Sequence, residues 1–88
     1  MKFNIDVVRI RENSIQLNGW AIGKTPEAAV SYDVEDENHK HLEHKYVATR
    51  RDDVSQIYFG SVIDREFGFD IQFPYERGKS YWLLIRCD

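Results

Sequence analysis

The sequence predicts an all-β chain of six or seven short antiparallel strands with one short helical turn. Three observations predict it: apolar and polar residues alternate with a two-residue period, several stretches pair by simple arithmetic, and no stretch keeps a helical apolar period for long. The 88 residues suffice for one core, since a chain of this size exposes about 5,400 Å² when folded and buries roughly two thirds of its unfolded surface.

The first hairpin turns through Glu12-Asn13, so that Ile10 faces Ile15, Val8 faces Leu17, Ile5 faces Trp20 and Phe3 faces Ile22. Each apolar pair stabilises a sheet by roughly 0.2–1 kcal/mol. Asn13 tolerates the left-handed conformation of a tight turn. The alternation slips phase between Ile5 and Val8, and again between Leu17 and Trp20, which places a bulge or sharp coil at Asn18-Gly19. After a loop at Gly23–Glu27, a second hairpin runs from Val30 to Thr49 through Asp36–Lys40. It sets Val30, Tyr32 and Val34 opposite Tyr46, His44 and Leu42, with polar neighbours facing water. Arg50-Arg51-Asp52-Asp53 follows. Val54, Ile57 and Tyr58 then have helical spacing, and Asp52 or Asp53 can cap that turn. Phe59 to Ile63 offers a short seventh strand. A third pair joins Phe67–Phe73 to Tyr81–Cys87 around a loop at Pro74–Lys79, with Phe73 meeting Tyr81, Ile71 meeting Leu83 and Phe69 meeting Ile85. Hairpins without a long helix indicate an immunoglobulin-like β-sandwich, a small closed barrel being the competing architecture. Residues 1–88 read as one domain, a fragment or terminal module of a longer chain.

Twelve basic against 15 acidic residues leave a net charge of -3, which gives no general attraction to nucleic acid or anionic lipid. Cys87 stands alone, so neither an intrachain disulfide nor a multi-cysteine metal site is available. The N-terminus lacks the apolar run of a signal peptide, and Tyr81–Ile85 is too short to span a bilayer. A cytoplasmic location without membrane insertion is the expectation.

His39, His41 and His44 have the look of a metal cluster, but on an extended strand His41 and His44 point to opposite faces while His39 sits in the turn. No metal site and no cofactor are expected. The acidic pairs Asp33 with Glu35, Asp52 with Asp53, and Asp64 with Glu66 fall in the most polar stretches, where solvation leaves no carboxyl group with the raised pKa that acid–base work needs. Catalysis within these residues is not expected. Trp20, Phe67, Phe69 and Phe73 fall on inward registers as core. Trp82, Leu84 and Arg86 take the opposite side of their strand, facing Gln72, Asp70 and Gly68 in the expected pairing. Trp82, Gln72, Asp70 and Arg86 are therefore candidates for a platform on which a sugar ring stacks. The same face suits docking to another domain, or Trp82 is covered by a neighbouring strand.

Ile15-Gln16-Leu17-Asn18-Gly19-Trp20-Ala21, then Val34-Glu35-Asp36, then Arg51-Asp52-Asp53-Val54 with Tyr58, then Gly68-Phe69-Asp70-Ile71-Gln72-Phe73 together resemble a small β-sandwich module. It stands beside the catalytic domain in bacterial family 2 glycosyltransferases of cell-surface polysaccharide synthesis. The resemblance runs from about Ile5 to Ile85. It implies a non-catalytic accessory role, with the catalytic domain of the same chain or a glycan acceptor as partner. It also implies that Trp20 and Phe69 are core aromatics and that Arg51 and Asp53 form a polar corner, Asp53 capping the short turn. Asp52 stands where the family pattern often has a proline. A stand-alone protein–protein interaction domain is the alternative.

Overall fold

The computed structural model describes all residues from Met1 to Asp88. The elements in chain order are β1 (Lys2–Ile10), β2 (Ser14–Ile22), β3 (Val30–Glu35), β4 (Lys45–Thr49), α1 (Asp52–Phe59), β5 (Gly68–Pro74) and β6 (Trp82–Cys87). The strands form two antiparallel sheets, a four-stranded one in the order β1-β2-β5-β4 and a two-stranded one of β3 and β6. Phe59–Ile63 is not a seventh strand. Phe59 ends α1, and Gly60, in the left-handed region at φ 77°, caps it by donating its N–H to the Gln56 carbonyl at 3.0 Å. No helix is long and apolar enough to cross a membrane.

The first hairpin holds its expected register for half its length. The Arg11 N–H donates to the Ser14 carbonyl at 2.8 Å across the turn, and Ile10 pairs with Ile15 and Val8 with Leu17. The register then shifts between Ile5 and Val7, so Ile5 pairs with Gly19, Phe3 with Ala21 and Lys2 with Ile22. The bulge belongs to Asp6 in β1, not to Asn18-Gly19. Gly19 matters instead for close approach: a Cβ there would collide with the Asn4 carbonyl and the Phe69 ring. The left-handed residue of the chain is also elsewhere: among non-glycine residues only His39 has a positive φ, 60°, and Asn13 does not.

The second phase slip, from Leu17 to Trp20, has a different cause. Ile15 and Leu17 pack with Val34, Phe69, Ile71 and Phe73 between the two sheets. Trp20 and Ile22 point to the opposite face of β2, where Val54 of α1 and Phe67 cover them. Both faces of β2 are therefore apolar at one end. The helix, two turns long, buries Val54 and Ser55, while Ile57 is 73 % exposed. Of the expected apolar face, Val54 is buried and Tyr58 sets its ring 5.2 Å from Trp20, whereas Ile57 faces solvent and Ser55 takes a buried place and anchors the helix. Its Oγ donates to the Ser61 carbonyl at 2.6 Å and accepts the Ile63 N–H at 2.9 Å.

Two expected hairpins do not form. The second is right only at its tip, where the Leu42 N–H donates to the Val34 carbonyl at 2.8 Å and Glu35 bridges His41. Beyond it β3 leaves for β6, pairing Val30 with Cys87 and Val34 with Leu83, while β4 crosses to β5. In the third, the expected partners meet face to face rather than edge to edge: the Phe73 and Tyr81 rings lie 5.5 Å apart, and Leu83 and Ile85 pack on the cluster of Phe69 and Ile71. Alternation fixes which face a residue takes, and both arrangements satisfy it.

A two-stranded sheet is too narrow to cover four strands. Val8 and Ile10 share the face of their partners Leu17 and Ile15, yet they remain 54 % and 61 % exposed. The total surface of 5958 Å² accordingly exceeds the roughly 5,400 Å² expected for this size.

Candidate functional site

In the β3–β6 sheet, Tyr32, Val34, Leu83 and Ile85 turn toward the core. Two-residue alternation then places Asp33, Glu35, Trp82, Leu84 and Arg86 on the outer face, with Glu35 opposite Trp82, Asp33 opposite Leu84 and Ser31 opposite Arg86. Trp82 is 50 % exposed. Its indole stacks on the His39 ring at 5.2 Å and 26°. His39 is delivered by the Asp36–Lys40 turn, in which Asp36 Oδ1 accepts the N–H groups of Asn38 and Lys40 at 2.8 and 3.0 Å. His39 Nδ1 also lies 3.3 Å from Glu35 Oε1.

The four residues expected to form one platform do not come together. Trp82 and Arg86 share the outer face of β6, whereas Asp70 and Gln72 belong to β5 in the other sheet. Ile71 and Phe73 of β5 point inward, so Asp70 and Gln72 point outward on the far side of the molecule. There the Gln16 amide donates to the Asp70 carboxylate at 2.9 and 3.1 Å. The expectation failed because it paired β6 with β5. The true neighbours of Trp82, Glu35 and His39, were legible only as a polar strand and a polar turn.

The histidines also differ from expectation. Residues 42–44 are not a strand, so the argument that His41 and His44 point apart does not apply. Their rings meet edge to face at 5.7 Å. His41 Nδ1 lies 2.7 Å from Asp33 Oδ1, and its Nε2 lies 3.7 Å from Glu43 Oε1. Asp33, His41 and His44 each bring one ligand-type atom within 4.8 Å of the others. The hydrogen bond with His41 is the main reason that the Asp33 carboxyl is held below its usual range, with the Val34 N–H adding to it.

Arg51 and Asp53 meet at the start of α1. Arg51 grips Asp53 with two parallel hydrogen bonds, Nε to Oδ1 at 3.0 Å and Nη2 to Oδ2 at 2.9 Å. Asp53 does not cap the helix: Arg51 occupies the cap position, without a side-chain cap bond, and Asp52 and Asp53 lie in the first turn. Their charge suits the partial positive end of the helix. Arg51 also donates to Asp6, a partner that sequence reasoning missed. The signal was the phase slip at that position. The Arg51 guanidinium holds Asp53 at about 2 and lowers Asp6 as well. Gly68 lies against this corner, where a Cβ would meet Thr49 and the Arg51 stem.

A separate open groove of about 380 Å³, bordered by Asp36, Leu42, Tyr75 and Tyr81, contains none of the expected contact residues. No family model, no curated protein and no solved structure matches this chain.

Proposed function

We propose that this chain is a non-catalytic, immunoglobulin-like accessory module of a bacterial glycosyltransferase, docking to the catalytic domain and positioning it in surface-polysaccharide synthesis. The observation that carries this reading is the exposed inner face of β1 at Val8 and Ile10, together with the free edge of β6. The ring centroids of Tyr32 and Tyr46 lie 5.3 Å apart, which sets β3 on the β4 side of the molecule and leaves the unpaired edge of β6 toward β1. The strand order β1-β2-β5-β4 beside a β3-β6 pair supports the immunoglobulin-like reading, in which four strands of one sheet face a narrower second sheet. A strand added to β6 would pair its open backbone groups and cover Val8 and Ile10. The resemblance at Ile15–Ala21, Arg51–Val54 and Gly68–Phe73 supplies the enzyme class. A stand-alone interaction domain would use the same edge and differs only in its partner.

Amide hydrogen exchange tests the reading, on the chain alone and mixed with the family 2 glycosyltransferase catalytic domains of the same genome. New protection along Trp82–Cys87 supports it. Unchanged exchange there with every such domain overturns it. A second reading, acceptor-glycan contact, rests on the half-exposed Trp82, which has Glu35 opposite it on β3 and the His39 ring stacked on it. Its check is an NMR titration with rhamnose-, glucose- and galactose-containing oligosaccharides.

A further inference from the structure

We propose that Asp33, His41 and His44 form a binding site for a divalent transition-metal ion of the zinc(II) type. The three residues reach one place from different backbone origins. Asp33 stands on the outer face of β3, and His41 and His44 lie on the segment that the Leu42 N–H to Val34 carbonyl bond pins beside it. Two imidazole nitrogens and one carboxylate oxygen suit zinc, copper or nickel, whereas magnesium and calcium prefer oxygen alone. A tetrahedral zinc ion with arms of about 2.0–2.1 Å needs its donors roughly 3.3 Å apart. Here all three lie within 4.8 Å of one another, and His41 is exposed, so modest side-chain rotation closes the set.

Two features hold the donors ready. The carbonyl of Leu42 can only accept, so the His44 Nδ1 at 2.9 Å from it carries the proton and leaves the Nε2 lone pair free. This is how metal-ligating imidazoles are commonly oriented, by a bond from the other ring nitrogen. The Asp33 carboxylate is anchored in turn, since its Oδ1 accepts the Val34 N–H at 2.9 Å. The ion takes the place of the proton between His41 and Asp33. In a neutral His41 ring that proton moves to the other nitrogen, and in a charged ring it is released to solvent, so protons compete with the ion for the same lone pairs. Three protein ligands leave a fourth position for water. The inference is independent of the docking role and fails separately from it.

Titration of the whole chain with zinc chloride, followed through the histidine ring resonances and by calorimetry, is the test. The expected result is one ion per chain, with His41 and His44 shifting together and His39 unmoved, and no response to magnesium chloride. Asp33→Asn and His44→Gln each weaken binding by about tenfold or more, and His39→Gln leaves it unchanged. His41→Gln, at an exposed position, gives the same reading if either of the first two variants unfolds. A response centred on His39, an Asp33→Asn variant that binds as tightly as the parent, or silence at about hundredfold excess of zinc overturns the proposal.

Discussion

Arg51 donates to Asp6 across 45 positions of sequence, tying the start of α1 to the bulge of β1. The bulge turns Asp6 out of the ladder, and the same guanidinium holds Asp53 with its remaining fork. One cation therefore joins an edge strand to a helix. Two carboxylates on one guanidinium form a network rather than an isolated surface pair, which is the case in which ion pairs count.

Arg51→Ala is expected to lower stability by about 1–2 kcal/mol, because it removes charge-assisted bonds at a partly buried site. For a domain of this size that is roughly 4–8 °C of melting temperature per kcal/mol. Arg51→Lys should recover only part of it, since an ammonium cannot reproduce the two-pronged grip. Thermal melts of the three proteins check this.

The pH dependence has a definite sign. Asp53 sits at about 2 and Asp6 is lowered, both chiefly by Arg51. Depressed folded values mean that their stabilisation is complete above the unfolded carboxylate range near ~4 and is lost as pH falls toward ~2. Melting temperature should drop across that window, and the Arg51→Ala protein should show a smaller drop over the same range.

Gly19→Ala is expected to cost about 1–3 kcal/mol or more through overpacking. The new methyl meets the Asn4 backbone and the fully buried Phe69, neither of which can swing away. Denaturant titration measures the loss.

The two tryptophans should behave oppositely. Trp20 is buried against Val54 and Phe67 and lies 5.2 Å from the Tyr58 ring, so Trp20→Ala should cost about 3–5 kcal/mol and erase the cooperative melt. Trp82→Ala should leave the melt within a few degrees. If Trp82 contacts glycan, the same change removes the oligosaccharide-induced shifts.

Ile10→Asp probes docking without touching the core. At 61 % exposure it should change the stability of the isolated chain by less than about 0.5 kcal/mol. Protection of β6 by a catalytic domain should disappear.

The sequence by itself determined the all-β class, the facing of most apolar residues and the first hairpin as far as Val7–Asn18. These are local: a two-residue period sets the face, and a two-residue turn sets the register of the strands it joins. It also marked the slip at Asp6 and the outward side of Trp82. Only the tertiary structure decided which strands share a sheet. Phe73 and Tyr81 touch whether their strands are hydrogen-bonded neighbours or lie across a core, and alternation cannot distinguish the two. The choice of β6 for β3, and of β5 for β4, rests on filling one cluster around Val34, Phe69 and Ile71 from both sides. That choice moved Asp70 and Gln72 away from Trp82 and brought Asp33, His41 and His44 together. The neighbours at the candidate sites came from long-range packing, whose energy depends on burying both sheets at once and is written in no single stretch of the chain.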